Sequence, residues 1–357
     1  MKTLDRYILK RFLASWVFVA ALIIAVVVVI DITEKNDKFI QNDLTISEIL
    51  PYYTAFIPFI ANLITPITVF IAAVLLTSKL ATRTEIVAIL SSGVSFKRFM
   101  FPYFIGALII ALLSFWLNGW VIPNSNKRRV AFEIAYIKKP FNYSDRDIHL
   151  KTGPSTYMYL ESYNTTSDVG HKFTLETIEG NKLTEKFEAR RLEWIDSSES
   201  WRARDWTNRQ FDGLDEVYTR GVIKDTTLRI SPKDFASSYS RHETLNMNEL
   251  NDYIDELTAR GADDVHIYRI EKYIRYMSPF TVIILTFIAL IVSARKSRGG
   301  TGFQIALGFF IAFVFIIFFV MSRAIAEAGS MHPILAVWMP NIIFTGLGLI
   351  MYNTVPR

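Results

Sequence analysis

The 357-residue sequence contains no cysteine, which excludes a disulfide framework and any thiolate metal site. It has no G-x-x-x-x-G-K-S/T motif, so we do not expect the chain to hydrolyse ATP itself. H-E-x-x-H and G-x-S-x-G are also missing, and the apolar stretches lack the runs of Asp, Glu and His that mark proton relays. The sequence therefore predicts no catalytic residue, no metal site and no cofactor.

The formal net charge of +5 is concentrated in a few short segments. Twelve basic residues lie beside apolar blocks with only two acids, Asp5 and Glu85, whereas acids outnumber bases in the rest of the chain. This is the positive-inside pattern of a membrane protein, and it gives little support to nucleic-acid binding. The twelve are Lys2, Arg6, Lys10, Arg11, Lys79, Arg83, Lys97, Arg98, Arg295, Lys296, Arg298 and Arg357.

Six apolar blocks are each about as long as the roughly 20 residues that cross a bilayer as a helix. A signal peptide is the alternative for the first block, but no small-residue cleavage site follows it, so we expect a retained helix. Six spans with their basic flanks inside place both termini in the cytoplasm. The blocks are residues 12–30, 52–77, 99–122, 276–293, 303–321 and 334–351.

The segment between the third and fourth blocks carries most of the charge and has no apolar run of membrane length. Its short strand-like stretches predict an all-β domain outside the cytoplasm, a sandwich or jelly roll, which ends in a short helix. We therefore expect a polytopic α-helical membrane protein with three spans, an inserted β domain and three further spans. The predicted divisions are residues 1–123, 124–265 and 266–357, with strands near 155–163, 186–196, 201–211 and 226–230.

A polar island, residues 78–98, separates the second and third blocks and has a helical pattern of its own. Thr82 and Glu85 have the spacing of a capping box, and Ile86 and Ile89 repeat at helical spacing. The pattern predicts a helix over about 82–92 on the cytoplasmic face. We expect it to present Arg83 and Glu85 to a cytosolic partner. The alternative is an ordinary interfacial helix.

Gly93 occurs where that helix would stop, and Ser95 could cap the next helix. Because the chain has no nucleotide-binding motif, we expect a cytosolic partner to deliver the energy for any transport through this sizeable polar island.

Basic residues also cluster just outside two of the spans, on the side where the usual charge bias disfavours them. Lys35 and Lys38 follow the first span, and a second group follows the third. Such clusters could bind the phosphates of an anionic lipid headgroup, or they could snorkel and pair with nearby acids. The second group is Lys127, Arg128 and Arg129, and the nearby acids are Glu34, Asp37 and Glu133.

Several motifs resemble those of the LptF/LptG permeases of lipopolysaccharide export. Specific among them are L-A-x-R-x-E-I-x-A-I-L-x-S-G-V-S at 80–95 and H-P-x-L-A-x-W-x-P-N at 332–341. LDRYILKRFL at 4–13, N-x-x-x-x-P at 118–123 and the R-x-x-R-G-G turn at 295–300 support them. The resemblance covers the whole chain and includes the layout of three spans, a β domain and three spans. It does not distinguish LptF from LptG.

The resemblance implies a permease that pairs with a paralogous permease in the inner membrane of a Gram-negative bacterium and sits on an LptB-like ATPase dimer. It implies that lipopolysaccharide passes through the periplasmic β domain towards LptC-like and LptA-like proteins. Glu85 would dock in the ATPase with Ile86 and Ile89 as apolar supports, and Lys35 and Lys38 would meet lipid phosphates. The alternative function is a membrane sensor whose β domain signals to a cytosolic partner.

Overall fold

A computed structural model describes residues 3–137, 148–164, 167–213, 215–228, 232, 241–260, 265–294 and 300–353. The chain divides into two compact units. The first, a helical unit, comprises Met1–Phe132 and Arg269–Arg357; the second, a β unit, comprises Glu133–Tyr268. The helices are α1 (Thr3–Gln41), α2 (Ile46–Thr82), α3 (Glu85–Ser91), α4 (Phe96–Trp116), α5 (Ile122–Phe132), α6 (Arg241–Thr244), α7 (Met247–Arg260), α8 (Val265–Ser293), α9 (Gly300–Glu327) and α10 (Pro333–Tyr352).

Six helical segments of the described chain are long and apolar enough to cross a membrane. They confirm the six predicted spans, although each helix extends beyond its apolar block. A π-helical turn, Leu117–Val121, joins α4 to α5, and another, Glu133–Ile137, follows α5, so the third segment is continuous over Phe96–Ile137. The segments are α1, α2, α4 with α5, α8, α9 and α10.

The outer ends of the first two spans are helical, whereas the sequence analysis placed a charged connecting segment there. α1 continues to Gln41, and α2 begins at Ile46 after a short turn in which Asp43 has a φ of 49°. Glu48 stabilises the start of α2 by accepting a hydrogen bond from the Thr45 backbone N–H at 2.8 Å. The predicted span ended at Ile30 because charged residues follow it. Charged residues at i and i+4 are nevertheless compatible with a helix.

The third span does not end at Pro123, because α5 carries the helix past it. Proline has no N–H to donate to the carbonyl four residues earlier, and a π-helical turn is the local adjustment that immediately precedes it. The division between the two units accordingly falls after Phe132, nine residues beyond the predicted domain boundary.

The helical unit has one main apolar core, to which α1 contributes mainly with its first turns. Phe12 is fully buried, and its ring lies 5.3 Å from that of Tyr103 on α4. Gly106 permits this close approach, because a Cβ atom there would lie 2.6 Å from Phe12 Cδ1. Beyond Phe12, most apolar side chains of α1 are exposed on the chain's surface, including Phe18 and Leu22.

The β unit contains a six-stranded antiparallel sheet whose strands are hydrogen-bonded in chain order. The inserted β domain is thus confirmed, and its strand order, which the sequence does not determine, is that of a meander. All described strands belong to this one sheet, and its buried face includes Leu160, Phe173, Leu192 and Trp201. The strands are β1 (Ile148–Lys151), β2 (Thr156–Asn164), β3 (Val169–Glu179), β4 (Lys182–Ile195), β5 (Ser200–Asp212) and β6 (Asp215–Thr226).

The predicted hairpin around the polar Ser-Ser-Glu-Ser turn is present as β4 and β5, with Trp194 opposite Trp201. The last predicted strand, 226–230, is not found as such: Thr226 ends β6, residues 227–228 have no strand structure, and 229–230 lie outside the described residues. The predicted short helix is α7. Its capping residue is Asn246, whose Oδ1 accepts from the Glu249 N–H at 3.0 Å.

Candidate functional site

The polar island folds into a short helix, α3, between two membrane-spanning helices. α2 continues through Thr82, whose hydroxyl donates to the Ser78 carbonyl at 2.9 Å. The predicted capping box between Thr82 and Glu85 is therefore wrong, because Thr82 still belongs to the preceding helix. Thr84 makes the break instead, with a φ of 61°, and α3 begins at Glu85.

The far end of α3 agrees with the sequence. Gly93 has a φ of 89°, a conformation that glycine adopts without strain, and it follows the last helical residue, Ser91, by two positions. Ser95 caps α4, since its hydroxyl oxygen accepts from the Arg98 N–H at 3.3 Å. Left-handed residues at Thr84 and Gly93 thus separate α3 from the helices on either side.

The side chains of α3 divide into an anchored face and a free face. Ile86 is only 2% exposed and packs into the main core, and Ile89 is partly buried against it. Arg83 and Glu85 are accessible, with side-chain exposures of 56% and 32%, and a loose 3.9 Å contact joins them. Val87 is 62% exposed, and the sequence analysis did not single it out. Ile86 and Ile89 thus hold α3 on its own chain, while Val87 lies on the accessible surface.

The outer basic cluster contains one lysine that is already paired within the chain. Lys35 Nζ lies 2.6 Å from Asp31 Oδ1, donates to the Tyr52 hydroxyl and stands over the rings of Tyr52 and Phe56. The Tyr53 hydroxyl donates to the other Asp31 oxygen at 3.0 Å. The lysine side chain is 16% exposed. Asp31, an acid that was not among the nearby ones considered from the sequence, neutralises it.

The other four basic residues differ in exposure. Arg129 is buried, donates from Nε to Asn126 Oδ1 at 3.0 Å and stands 4.2 Å from the centre of the Phe59 ring. Its role in the structure is packing between α5 and α2. Lys38, Lys127 and Arg128 are exposed.

Aromatic contacts bring the two predicted basic groups to the same end of the helical unit. The Phe132 ring on α5 lies 5.0 Å from the Tyr52 ring and 6.3 Å from the Phe39 ring. It therefore contacts the start of α2 and the end of α1. An open groove of about 630 Å³ lies beside this cluster between α1 and α2. Its lining is mostly apolar and comprises Ile32, Asn36, Phe39, Ile40, Asp43, Leu44, Ile46, Ile49, Leu50 and Tyr53.

A comparison with protein families decides what kind of membrane protein this is. The family described as lipopolysaccharide export system permease LptF/LptG matches residues 6–354, essentially the whole chain. The chain belongs to the LptF/LptG permease family. No curated protein sequence matches it. The resemblance seen in its motifs is therefore confirmed, and the chain is a multi-pass permease of lipopolysaccharide export.

Within this LptF/LptG permease, several residues of both candidate regions escaped the sequence analysis. Asp31 was assigned to a connecting segment, and Tyr52 and Tyr53 were assigned to the second span. No sequence pattern shows that these three residues surround Lys35. Val87 was detectable in principle, because it lies off the stripe formed by Ile86, Ile89 and Leu90. Across the described residues, no group of three His, Asp or Glu side chains is placed to hold a metal ion.

Proposed function

We propose that this LptF/LptG permease is the transmembrane subunit of an ABC transporter that extracts lipopolysaccharide from the inner membrane and passes it to a periplasmic bridge. ATP hydrolysis takes place on a separate LptB-like ATPase dimer, and a paralogous permease forms the other half of the membrane unit. LptC-like and LptA-like proteins receive the lipid. The permease itself is non-catalytic and transmits the work of its partner.

The accessible face of α3 is the observation that carries this proposal. α3 joins two spans, is anchored to the core by Ile86, and presents Arg83, Glu85 and Val87 at its start. Buried anchoring lets a force on the helix act on the core, and an exposed mixture of charge and apolar surface suits a protein partner. An idle interfacial helix would insert its apolar face into lipid, whereas the buried residue of α3 faces its own protein.

The charge distribution supports the proposed orientation. The basic residues near the start of α1 and around α3 favour the cytoplasmic side, so both termini lie in the cytoplasm and the β unit in the periplasm. The basic clusters at the outer ends of α1 and α5 then lie at the periplasmic end of the spans. This is the level of the headgroups of a lipid in the outer leaflet of the inner membrane.

The exposed cations are our candidates for headgroup contact. Lys38, Lys127 and Arg128 are exposed at the outer end, where a lipid phosphate can reach them. Lys35 and Arg129, which the sequence grouped with them, are much less exposed, so a phosphate reaches them less readily. The apolar, exposed surface of α1 between its two ends suits contact with acyl chains.

Purification in mild detergent after expression in a Gram-negative host tests the proposal. We expect an ATPase to co-isolate with the chain, and lipopolysaccharide to be detected in the same fraction. If neither is found, the chain is not a subunit of such a transporter, and the sensor function becomes the better account.

A further inference from the structure

An ion pair with a buried carboxylate and a partly exposed guanidinium joins the start of α1 to the start of α4. Asp5 lies in the first turn of α1 and is 3% exposed, and its Oδ2 is 2.5 Å from Arg98 Nη2. The Arg98 guanidinium also stands 5.0 Å from the centre of the Phe101 ring. The two residues are 93 positions apart in the sequence, so the pair is a tertiary contact and not a helix-capping contact.

Arg98 lies close to α3 along the chain. Ser91 ends α3, Gly93 turns the backbone, and the Arg98 N–H donates to the capping hydroxyl of Ser95. Arg98 follows Ser91 by only seven positions, and its own backbone belongs to the capped first turn of α4. A displacement of α3 therefore reaches the Arg98 side chain through a short, hydrogen-bonded segment.

α1 has no comparable covalent route to α3. It is also the least covered of the six candidate spans, with 11% of its apolar window buried, against 56% for α2 and α8. Among its contacts with α4, apolar ones such as Phe12 with Tyr103 allow a helix to roll or slide, because dispersion has little directional preference. The Asp5–Arg98 pair is directional, and its carboxylate is buried although the Arg98 side chain is 39% exposed, so it fixes the start of α1 to the start of α4.

We propose that the Asp5–Arg98 pair is the positioning contact through which movement of α3 is passed to α1. This inference rests on the proposed function, since it assumes that an ATPase moves α3. Asp5 and Arg98 act through α1 and touch neither nucleotide nor lipid. Loss of the pair should leave ATP hydrolysis on the partner intact and reduce the lipid moved for each ATP consumed.

The test uses the full transporter in proteoliposomes with lipopolysaccharide as the probe. We expect Asp5→Asn to hydrolyse ATP within about twofold of the wild-type rate, and to release at least about fivefold less lipid per ATP, which is the scale of a typical coupling between sites. Arg6→Gln removes an exposed charge from the neighbouring position and should behave like the wild type. The exchange Asp5→Arg with Arg98→Asp should recover part of the loss.

A second measurement follows the movement of α3 and α1 directly, with the wild-type pair and with Asp5→Asn. The chain has no cysteine, so Ser91→Cys and Leu22→Cys give two unique, exposed spin-label sites on α3 and α1. We expect ATP to shift the position of both labels relative to a third label on α8 in the wild type, and of the α3 label alone with Asp5→Asn.

Two results overturn the inference: normal release per ATP with Asp5→Asn, or an α1 label that stays still in the wild type while the α3 label moves. The proposed function fails in a different way. In that case the wild-type transporter neither hydrolyses ATP nor releases lipopolysaccharide, whatever residue occupies position 5.

Discussion

The two ends of α1 are held by different kinds of contact. At the N-terminal end, which is the inner end in the proposed orientation, Phe12 fills a fully buried site against Tyr103 and Gly106, and Asp5 pairs with Arg98. At the outer end, Phe39 is buried beside Phe132 of α5, and Asp31 and Lys35 form a partly exposed polar cluster with the tyrosines that begin α2. Between the ends, many of its apolar side chains are exposed, although Val19 is buried.

The contrast indicates how such a helix could serve a transporter. The Asp5–Arg98 pair at the inner end makes α1 follow the start of α4, which comes shortly after α3 in the chain. The polar cluster at the outer end is directional, and a competing ion would have to replace the contact between Lys35 and Asp31. The uncovered middle leaves apolar surface for a lipid or for the paralogous permease.

The largest expected effect comes from breaking the packed inner end. Phe12→Ala removes a fully buried ring and should destabilise the helical unit by about 3 kcal/mol, because the site cannot collapse completely around the cavity. Phe18→Ala, on the 67% exposed middle of α1, should change stability by less than about 0.5 kcal/mol. Thermal unfolding in detergent measures both. Equal losses from the two variants would remove the distinction between the inner end and the middle.

A smaller effect is expected at the outer end. Asp31→Asn removes the anion that faces Lys35 and weakens the bond from Tyr53, at a cost of about 1–2 kcal/mol. Asp37→Asn is the matched control, since Asp37 is exposed on the same helix. The same unfolding experiment applies. A loss as large as that of Phe12→Ala would mean that the outer end is held as firmly as the inner one.

The two lysines at the outer end should differ in what they contribute. Lys38→Gln should weaken binding of lipopolysaccharide about fivefold at low salt, because one exposed cation near a charged lipid surface contributes about 1 kcal/mol. Lys35→Gln should mainly lower stability, since its charge is already balanced by Asp31. Lipid binding to the purified permease at two salt concentrations separates them. If Lys35→Gln costs more affinity than Lys38→Gln, lipid displaces the internal pair.

The smallest effect belongs to the β unit, whose ion pairs lie on the surface. Arg202 beside Asp225 and Arg209 beside Glu216 hold the pKa of each carboxyl below its usual range. A lowered folded-state pKa means that stability is fully present above the usual carboxyl pKa of about 4 and is lost as the pH falls further. Solvent screens both pairs, so the loss is small.

Hydrogen exchange of β5 and β6 amides, corrected for the intrinsic pH dependence, measures this loss. We expect β5 and β6 to lose protection between pH 5 and pH 3, and the double variant Arg202→Gln with Arg209→Gln to show a weaker pH dependence. An unchanged pH profile in the double variant would show that these pairs contribute nothing measurable.

The sequence predicted the six spans, the inserted β domain and the β4–β5 hairpin, because apolar length and alternating patterns depend on local chemistry. It placed the ends of several helices too early. The helix beyond Ile30 is charged, and the one beyond Pro123 passes a residue that normally ends helices, so both needed tertiary information. Helix packing, rather than composition, decides how far such segments extend.

For the candidate sites, the sequence indicated exposure and local helix signals better than it indicated the contacts around each residue. Glu85 and Arg83 are accessible as expected, and Gly93 and Ser95 have the expected roles. No sequence pattern indicates that Asp31, 21 and 22 positions away from Tyr52 and Tyr53, would share a cluster with them. Long-range contacts of this kind, like the pair of Asp5 with Arg98, appear only once the helices are packed.

Glu85 is the most direct test of the central claim, which is that this chain transmits work from an ATPase through α3. The measurement is ATP-driven release of lipopolysaccharide from proteoliposomes, with Glu179→Lys, an exposed charge reversal in the β unit, as the control. We expect Glu85→Lys to reduce release at least about tenfold, with an unchanged unfolding temperature and normal release by the control. Release at the wild-type rate with Glu85→Lys would contradict it.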